Sequence, residues 1–284
     1  MNCTHCTRLR AHAFCPKLTS DAPETQYSRA AVTTVLHFGQ LKLLCSEIQF
    51  LRAVGDWRGC TLIYAGASPG HHIPHLMHLF PQLNFVLVDP NHSVMSNSRR
   101  IRIIQGFMTD QLATDLAHEY GERILFVSDV RVAGKRRESD DAQQERIQRD
   151  MRAQMGWHQI LNPRASLFKF RLPWNTKSSF YLDGTIYLPI FGKRFTHEAR
   201  LLVLRGAAVV EYDNHKYERQ MAYFNQTTRQ SKHHGDMCFD CYSLHQLLGE
   251  AAPRVMEELR SFMGETSCAK PARRWHQGGR PTRT

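Results

Sequence analysis

The sequence predicts an α/β fold, a mostly parallel central sheet wound on both faces by helices. Three observations predict it. Short, nearly continuous apolar runs recur at TLIYAG (61–66), NFVLVD (84–89), IRIIQG (101–106) and RILFVSD (123–129), as in strands covered on both faces of a parallel sheet. Helical stretches such as 71–80 and 111–120 lie between them, giving the alternation of a doubly wound domain. The first run ends in a glycine-bearing turn, YAGASPGHHI, at the carboxyl end of a strand, where open α/β sheets bind their ligands.

The remaining elements follow in order. From Gly39, GQLKLLCSEIQFLRAV sets Leu41, Leu44, Ile48 and Leu51 on one helical stripe. Residues 131–145, RVAGKRRESDDAQQE, are polar and charge-dense, so a loop is expected there. A helix over 147–161 follows, and the runs 165–172, 180–190 and 199–206 are expected to close the sheet. HKYERQMAYFNQ reads as another helix, and a last one starts beyond Pro253. Residues 1–25 carry no period and are expected to form a flexible arm. The folded domain then spans 26–265. The tail, 266–284, holds Lys270, Arg273, Arg274, Arg280 and Arg283 without an acid, the composition of a disordered basic segment.

The 284 residues include 37 Lys and Arg against 26 Asp and Glu, a formal net charge of +11, which favours a polyanionic partner such as nucleic acid. With 42% hydrophobic residues the chain is neither collagenous nor disordered in composition. No apolar run is long enough to span a membrane, and no secretory apolar segment opens the chain. An intracellular protein, nuclear or cytoplasmic, with no membrane partner is expected. The 8 cysteines are irregularly spaced and read as reduced thiols. Cys3-x-x-Cys6 and Cys238-x-x-Cys241, with His233 and His234, have the ligand types of a zinc site. The two pairs lie far apart in the chain, and no metal is expected.

Gly66 and Gly70 leave the turn open to close approach by a ligand. Asp89 ends the next strand, where a carboxylate can accept from the hydroxyls of a ribose. The turn reads G-A-S-P-G and lacks the pyrophosphate-cradling G-x-G-x-x-G, so an adenosine cofactor without pyrophosphate, S-adenosylmethionine, is expected. Four charged residues fall in or beside apolar segments, where charge is costly: Lys42, Asp129, Lys169 and Glu198. Two amines among two carboxylates suit methylation of a hydroxyl, a poor nucleophile whose proton must be accepted as it attacks. Lys169 is expected to be the base or steering amine, with Lys42, Asp129 and Glu198 tuning and orienting it.

The segments GQLKLL, IYAGASPGHHI, LVDPNH, SDVR, ILNPRASLFKFRLPW, EARLL and KYERQMAYFN, in that order over about 39–225, resemble the poxvirus-type cap-specific mRNA 2′-O-methyltransferases. In that family the viral member also serves as a poly(A) polymerase processivity subunit. The resemblance implies a Rossmann-like methyltransferase fold and methylation of the ribose 2′-hydroxyl beside the cap of capped mRNA. It places Gln40, Tyr64, Gly66, Ser68, Gly70, His72, Asp89, Phe107 and Arg131 near S-adenosylmethionine. It also implies a cap pocket, with Trp174 and Phe195 stacking on the charged methylated base, Glu218 reading the guanine edge and Tyr27 a further contact. Thr176 stands where a second cap-reading carboxylate is expected. A poly(A) or RNA polymerase subunit is the implied protein partner. The alternatives are a 2′-O-methyltransferase of ribosomal or transfer RNA without cap dependence, and an RNA-binding processivity subunit without catalysis.

Overall fold

The computed structural model describes residues 16–28, 38–131, 139–193, 195–233 and 237–260. Residues 1–15, including Cys3 and Cys6, residues 132–138, His234 and the whole expected tail lie outside the described residues. The chain begins with β1 (Lys17–Leu18), α1 (Gly39–Val54), β2 (Thr61–Ala65), α2 (Ile73–Leu79), β3 (Asn84–Asp89), β4 (Ile101–Gln105), α3 (Asp110–Tyr120) and β5 (Ile124–Ser128). It continues with α4 (Asp140–Leu161), β6 (Ala165–Phe170), β7 (Ser178–Leu182), β8 (Thr185–Tyr187), β9 (Ala199–Leu204), β10 (Val209–Asp213) and α5 (Asn214–Gln226). The small hairpin of β11 (Lys232–His233) and β12 (Met237–Cys238) leads into α6 (Phe239–Leu248) and α7 (Ala252–Arg260).

One eight-stranded sheet, ordered β1-β8-β9-β6-β5-β2-β3-β4, organises the chain. The five strands from β4 to β6 run parallel, while β9 is antiparallel to both β6 and β8, and β1 to β8. This is the mostly parallel α/β sheet of a Rossmann-like fold. β2 and β5 are buried at every position, as central strands with helices on both faces must be. β4 closes one edge and exposes Arg102 and Gln105, charged and polar cover that discourages pairing with another chain.

Three expectations need correction. The run 180–190 is two strands in two sheets: β7 pairs with β10, and β8 with β9. Asp183 and Gly184 make the break. A Cβ at Gly184 would meet the Leu202 carbonyl, so only glycine lets the chain pass there. The expected loop 131–145 already becomes helix at Asp140. Ser139 Oγ accepts from the Ala142 amide at 3.3 Å, and Asp140 and Asp141 lie in the first turn, where the helix dipole favours acids.

The third correction concerns the expected arm 1–25, whose residues 16–25 are docked. β1 pairs with β8, and the Leu188 amide donates to the Pro16 carbonyl. Residues 19–28 then follow α5: Gln220 Nε2 donates to the carbonyls of Thr19 and Ala22, Arg219 Nε to Glu24 Oε2 at 2.6 Å, and the Ser28 amide to Gln226 Oε1. Backbone donors and acceptors matched this way tie a terminus down.

α1 is also more buried than one apolar stripe requires. Ser46, Glu47 and Gln49 are covered as fully as Leu41, Leu44 and Ile48, because α1 packs between β6 and the layer of α2, α6 and α7. Three of its polar side chains, Gln40, Lys42 and Glu47, reach residues of the site.

Candidate active site

The glycine turn follows β2. Gly66 has φ +81° and Gly70 φ +85°, the left-handed region that glycine enters without strain. A Cβ on Gly66 would stand 3.0 Å from the Asp129 carbonyl carbon and the Val130 amide, so the turn and the end of β5 are in backbone contact. Asp89, ending β3, fixes the turn from the other side: its Oδ2 accepts from the Ser68 amide at 3.1 Å, and its Oδ1 from the Asn91 amide at 2.8 Å. Ser68 Oγ donates to the His92 carbonyl. The carboxylate is held in one orientation with acceptor capacity left.

Beneath the turn lies a buried network that joins the expected residues Gln40, Tyr64 and His72 through Glu47. Gln40 Oε1 faces His72 Nδ1 at 2.9 Å and accepts from the His72 amide, the His72 ring reaches Glu47 through Nε2 at 3.2 Å, and Tyr64 Oη donates to Glu47 Oε1 at 2.7 Å. The side chains of Tyr64 and His72 are fully buried, so they brace the turn from below instead of lining an open pocket. The Tyr64 phenol is pushed up by burial and by Glu47, which keeps it protonated and a donor. Phe107 is 75% exposed just beyond β4. Arg131, beyond β5, lies 3.4 Å from the buried Asp150.

The four charged residues from apolar segments meet at the carboxyl ends of β5 and β6. Lys42 Nζ lies 2.6 Å from Glu198 Oε1, and Lys169 Nζ lies 3.3 Å from Asp129 Oδ1 and 3.8 Å from Glu198 Oε2. Lys169 also donates to the Asp129 carbonyl at 3.4 Å. A fifth member completes the group: Arg200 Nη2 is 2.7 Å from Asp129 Oδ1 and 3.4 Å from Glu198 Oε1.

Burial drives the Lys42 ammonium below its usual value, against the pull of Glu198 and with the push of Arg200. For Asp129, burial acts upward, but Arg200, Lys169 and Lys42 outweigh it and leave the carboxyl below its ordinary range. Glu198 is held further down, because Lys42, Arg200 and Lys169 together overcome its burial. Arg200 is raised: Asp129 and Glu198 more than offset its desolvation. With both amines protonated the group holds three cations and two anions. Loss of one amine proton makes it neutral, and arginine cannot supply that proton.

A cleft of about 190 Å³ opens on α5, lined by Thr25, Gln26, Tyr27, His215, Glu218 and Arg219. It unites two of the expected cap contacts, Tyr27 and Glu218. Phe195 packs edge-on against the Tyr27 ring at 5.6 Å, and His197 lies 5.5 Å from the same ring. Trp174 stands 41% exposed in the loop after β6. That loop is fastened to the start of α5, since Asn214 Nδ2 donates to the Thr176 carbonyl and hydroxyl at 3.1 and 2.9 Å. Thr176 therefore braces the loop that carries Trp174. Among the described residues no group of three His, Cys, Asp or Glu side chains could hold a metal ion, and no helix is long and apolar enough to cross a membrane.

Residues 17–243 match the family model described as Poly A polymerase regulatory subunit. The chain belongs to that family. Cap-specific mRNA (nucleoside-2′-O-)-methyltransferases of Myxoma virus, strains Lausanne and Uriarra, are 30% identical to it over 212 residues, which is 68% of this chain. The chain spans 62% of the length of those relatives. Among solved structures, bluetongue virus VP4, described as a multifunctional RNA-capping production-line, aligns over 82% of this chain and 36% of its own. Its TM-score of 0.52 at 13% identity is a likeness of fold.

Within this member of the poly(A) polymerase regulatory subunit family, Arg200 and Glu47 are the polar site residues that sequence reasoning missed. Each carried a signal. Arg200 interrupts the apolar run ARLLVL just as Lys169 interrupts ASLFKF, and Glu47 lies on the buried side of α1.

Proposed function

We propose that this protein transfers a methyl group from S-adenosylmethionine to the ribose 2′-hydroxyl of the nucleotide beside the cap of an mRNA. The observation that carries the reading is the cluster of Lys42, Asp129, Lys169 and Glu198 around Arg200 at the carboxyl end of the sheet. The Myxoma relatives named for this reaction support it.

The turn fits a nucleoside cofactor: a Cβ on Gly66 would fill the space beside the Asp129 backbone, and Asp89 is oriented with a lone pair to spare. Gln40, Gly66, Ser68, Gly70, Asp89, Phe107 and Arg131 would hold it, with Tyr64 and His72 bracing the turn. When bound, S-adenosylmethionine supplies an electrophilic methyl group on a sulfonium. The protein's own part is to place and deprotonate the hydroxyl. Tyr27, Trp174, Phe195 and Glu218 hold the cap. Lys169 in its neutral form accepts the hydroxyl proton, Asp129 and Glu198 fix the amine's direction, and Lys42 and Arg200 keep the carboxylates occupied so that they oppose deprotonation less. A capped mRNA substrate puts the protein inside a cell.

The test compares methyl transfer onto capped and uncapped forms of one short RNA, with the native chain and Lys169→Ala. The variant should lose at least about a hundredfold in rate, the scale of a general base, while its S-adenosylmethionine affinity by calorimetry stays within a factor of two or so. Turnover retained in Lys169→Ala would sink the mechanism. Equal rates on capped and uncapped RNA would favour ribosomal or transfer RNA as substrate.

The description of the matching family favours a second reading, a regulatory subunit that helps a poly(A) polymerase hold RNA. The Lys169→Ala variant separates the two: stimulation of a partner polymerase should survive in it.

A further inference from the structure

The proposed reaction leaves Cys238 and Cys241 unused. Cys238 is the N-cap of α6, and its Sγ accepts from the Cys241 amide at 3.4 Å. The two thiols are hydrogen-bonded to each other, and the bond from Cys241 lowers the Cys238 thiol to about 7, with further help from the Cys241 amide and against its partial burial. Cys238 is partly exposed, whereas Cys241 is buried. A pair of thiols supplies only half the ligands of a structural zinc site. An accessible, stabilised thiolate with a sheltered thiol three residues on is instead the arrangement of a nucleophilic and a resolving cysteine.

We propose that Cys238 and Cys241 form a redox-active dithiol that closes to an intramolecular disulfide on exposure to hydrogen peroxide or a small disulfide. With peroxide, the Cys238 thiolate attacks one oxygen, breaking the O–O bond. It becomes a sulfenic acid, and the released hydroxide takes up a proton to give water. The Cys241 sulfur then attacks the Cys238 sulfur, giving up its own proton and expelling the hydroxyl as a second water. Two thiols and one peroxide give one disulfide and two waters, a two-electron oxidation of the pair. A dithiol reductant reverses it by exchange.

Closure does not stay local. Asp240, between the two cysteines, is buried, and its carboxylate accepts from the Phe191 amide at 2.7 Å and from Arg229 Nη2 at 3.0 Å. Arg229 also donates to the carbonyls of Gly192 and Lys193 at 2.9 and 3.0 Å, and Asn225 Nδ2 to the Thr196 carbonyl at 2.8 Å. The first turn of α6, directly at Phe191 and through Arg229 at residues 192 and 193, thus pins the start of the connection that leads to Phe195 and Glu198, and Asn225 of α5 holds it at Thr196. Drawing two hydrogen-bonded sulfurs to a covalent separation of about 2 Å shifts the turn that carries Asp240 and weakens its hold on Phe191.

The full chain, exposed briefly to hydrogen peroxide and quenched with an alkylating agent, tests this by mass spectrometry after trypsin. Residues 233–254 form one tryptic peptide containing Cys238 and Cys241 and no other cysteine. It should lose two hydrogens, resist alkylation, and revert with dithiothreitol. Cys238→Ser keeps a good N-cap and should leave Cys241 reduced. Cys241→Ser should accumulate a sulfenic acid on Cys238 that dimedone traps. Full alkylation of both cysteines after peroxide, or unchanged oxidation of Cys241 in Cys238→Ser, would overturn the proposal. Amide exchange at Phe191 should be several-fold faster in the disulfide form, and equal exchange would overturn the link to the 191–193 turn.

Discussion

Arg200 stands opposite Lys169 in the β6–β9 ladder, and its guanidinium lies 2.7 Å from Asp129, the carboxylate that Lys169 also approaches. One carboxylate is thus shared by a permanent cation and by an amine. The arginine neutralises Asp129 without depending on the amine. It also adds positive charge that helps to push the neighbouring Lys42 below its usual value.

Arg200→Met should therefore do two things. Removing one partner of a buried ion group leaves Asp129 and Glu198 under-compensated, a loss of about 3 kcal/mol or more in unfolding free energy measured with urea. It also takes away a positive neighbour that helps to hold Lys42 below its usual value. The Lys42 ammonium is then stabilised, so, on the proposed mechanism, the rising limb of the methyl-transfer pH profile should move to higher pH, while Arg200→Lys should move it less. An unshifted profile in Arg200→Met would mean that Arg200 serves the fold alone.

Gly66→Ala tests the cofactor turn. The residue has φ +81°, and a Cβ would press on the Asp129 and Val130 backbone at 3.0 Å. Strain at positive φ and backbone displacement together should cost about 1–3 kcal/mol of stability. Binding of S-adenosylmethionine, followed by calorimetry, should weaken by tenfold or more, because the clash pushes the turn away from the end of β5. Gly206, also at positive φ but with nothing within 4 Å of a Cβ, provides the control: Gly206→Ala should carry the strain and leave cofactor affinity unchanged.

How far the molecule was legible in its sequence depends on how local each signal was. Lys42, Asp129, Lys169 and Glu198 betrayed themselves because charge in an apolar run is costly wherever the run ends up. The parallel strands showed equally well, since burial on both faces leaves unbroken apolar segments. Arg200 broke an apolar run too, but its role emerges only from the register that puts it across from Lys169. The docking of residues 16–28 on β8 and α5 is set by partners some 200 residues away, and no local period marks it. The split of 180–190 was legible in part: Asp-Gly inside an apolar run is a turn signal, and only the close approach of Leu202 shows that it separates two sheets.

Stability should fall as the solution is acidified well before the carboxylates of the cluster titrate. His158 is buried, with Nδ1 2.7 Å from Ser166 Oγ, and burial pushes it down to about 4 from 6.5. The unfolded chain therefore binds the extra proton at higher pH than the folded one. This contribution is complete above about pH 6.5 and is lost progressively as pH falls toward 4. From pH 7 to pH 5 the loss from this group should be about 2 kcal/mol. Urea titrations at the two pH values should show a smaller difference in His158→Gln. His197, pushed down to about 4 mainly by burial, adds a loss of the same sign over the same window.

The α5 cleft makes the final prediction, and it separates cap recognition from methyl transfer as such. Tyr27 lines the cleft, and its ring meets Phe195 in a T-shaped contact at 5.6 Å, which steadies the ring against which a cationic base would pack. Glu218 lines the same cleft, where a carboxylate both attracts that base and accepts from its edge. Tyr27→Ala should lower affinity for a 7-methylguanosine cap analogue about tenfold or more, the scale of a desolvated cation–π contact. Affinity for the uncharged guanosine analogue should hardly change. Glu218→Gln keeps the volume and removes the charge, so it should reduce the preference for the methylated analogue. Fluorescence titrations with both analogues read the two effects, and S-adenosylmethionine affinity should be unaltered in both variants because the cofactor turn draws on none of these residues. Equal losses for the methylated and unmethylated bases would show that the cleft holds RNA without reading the cap.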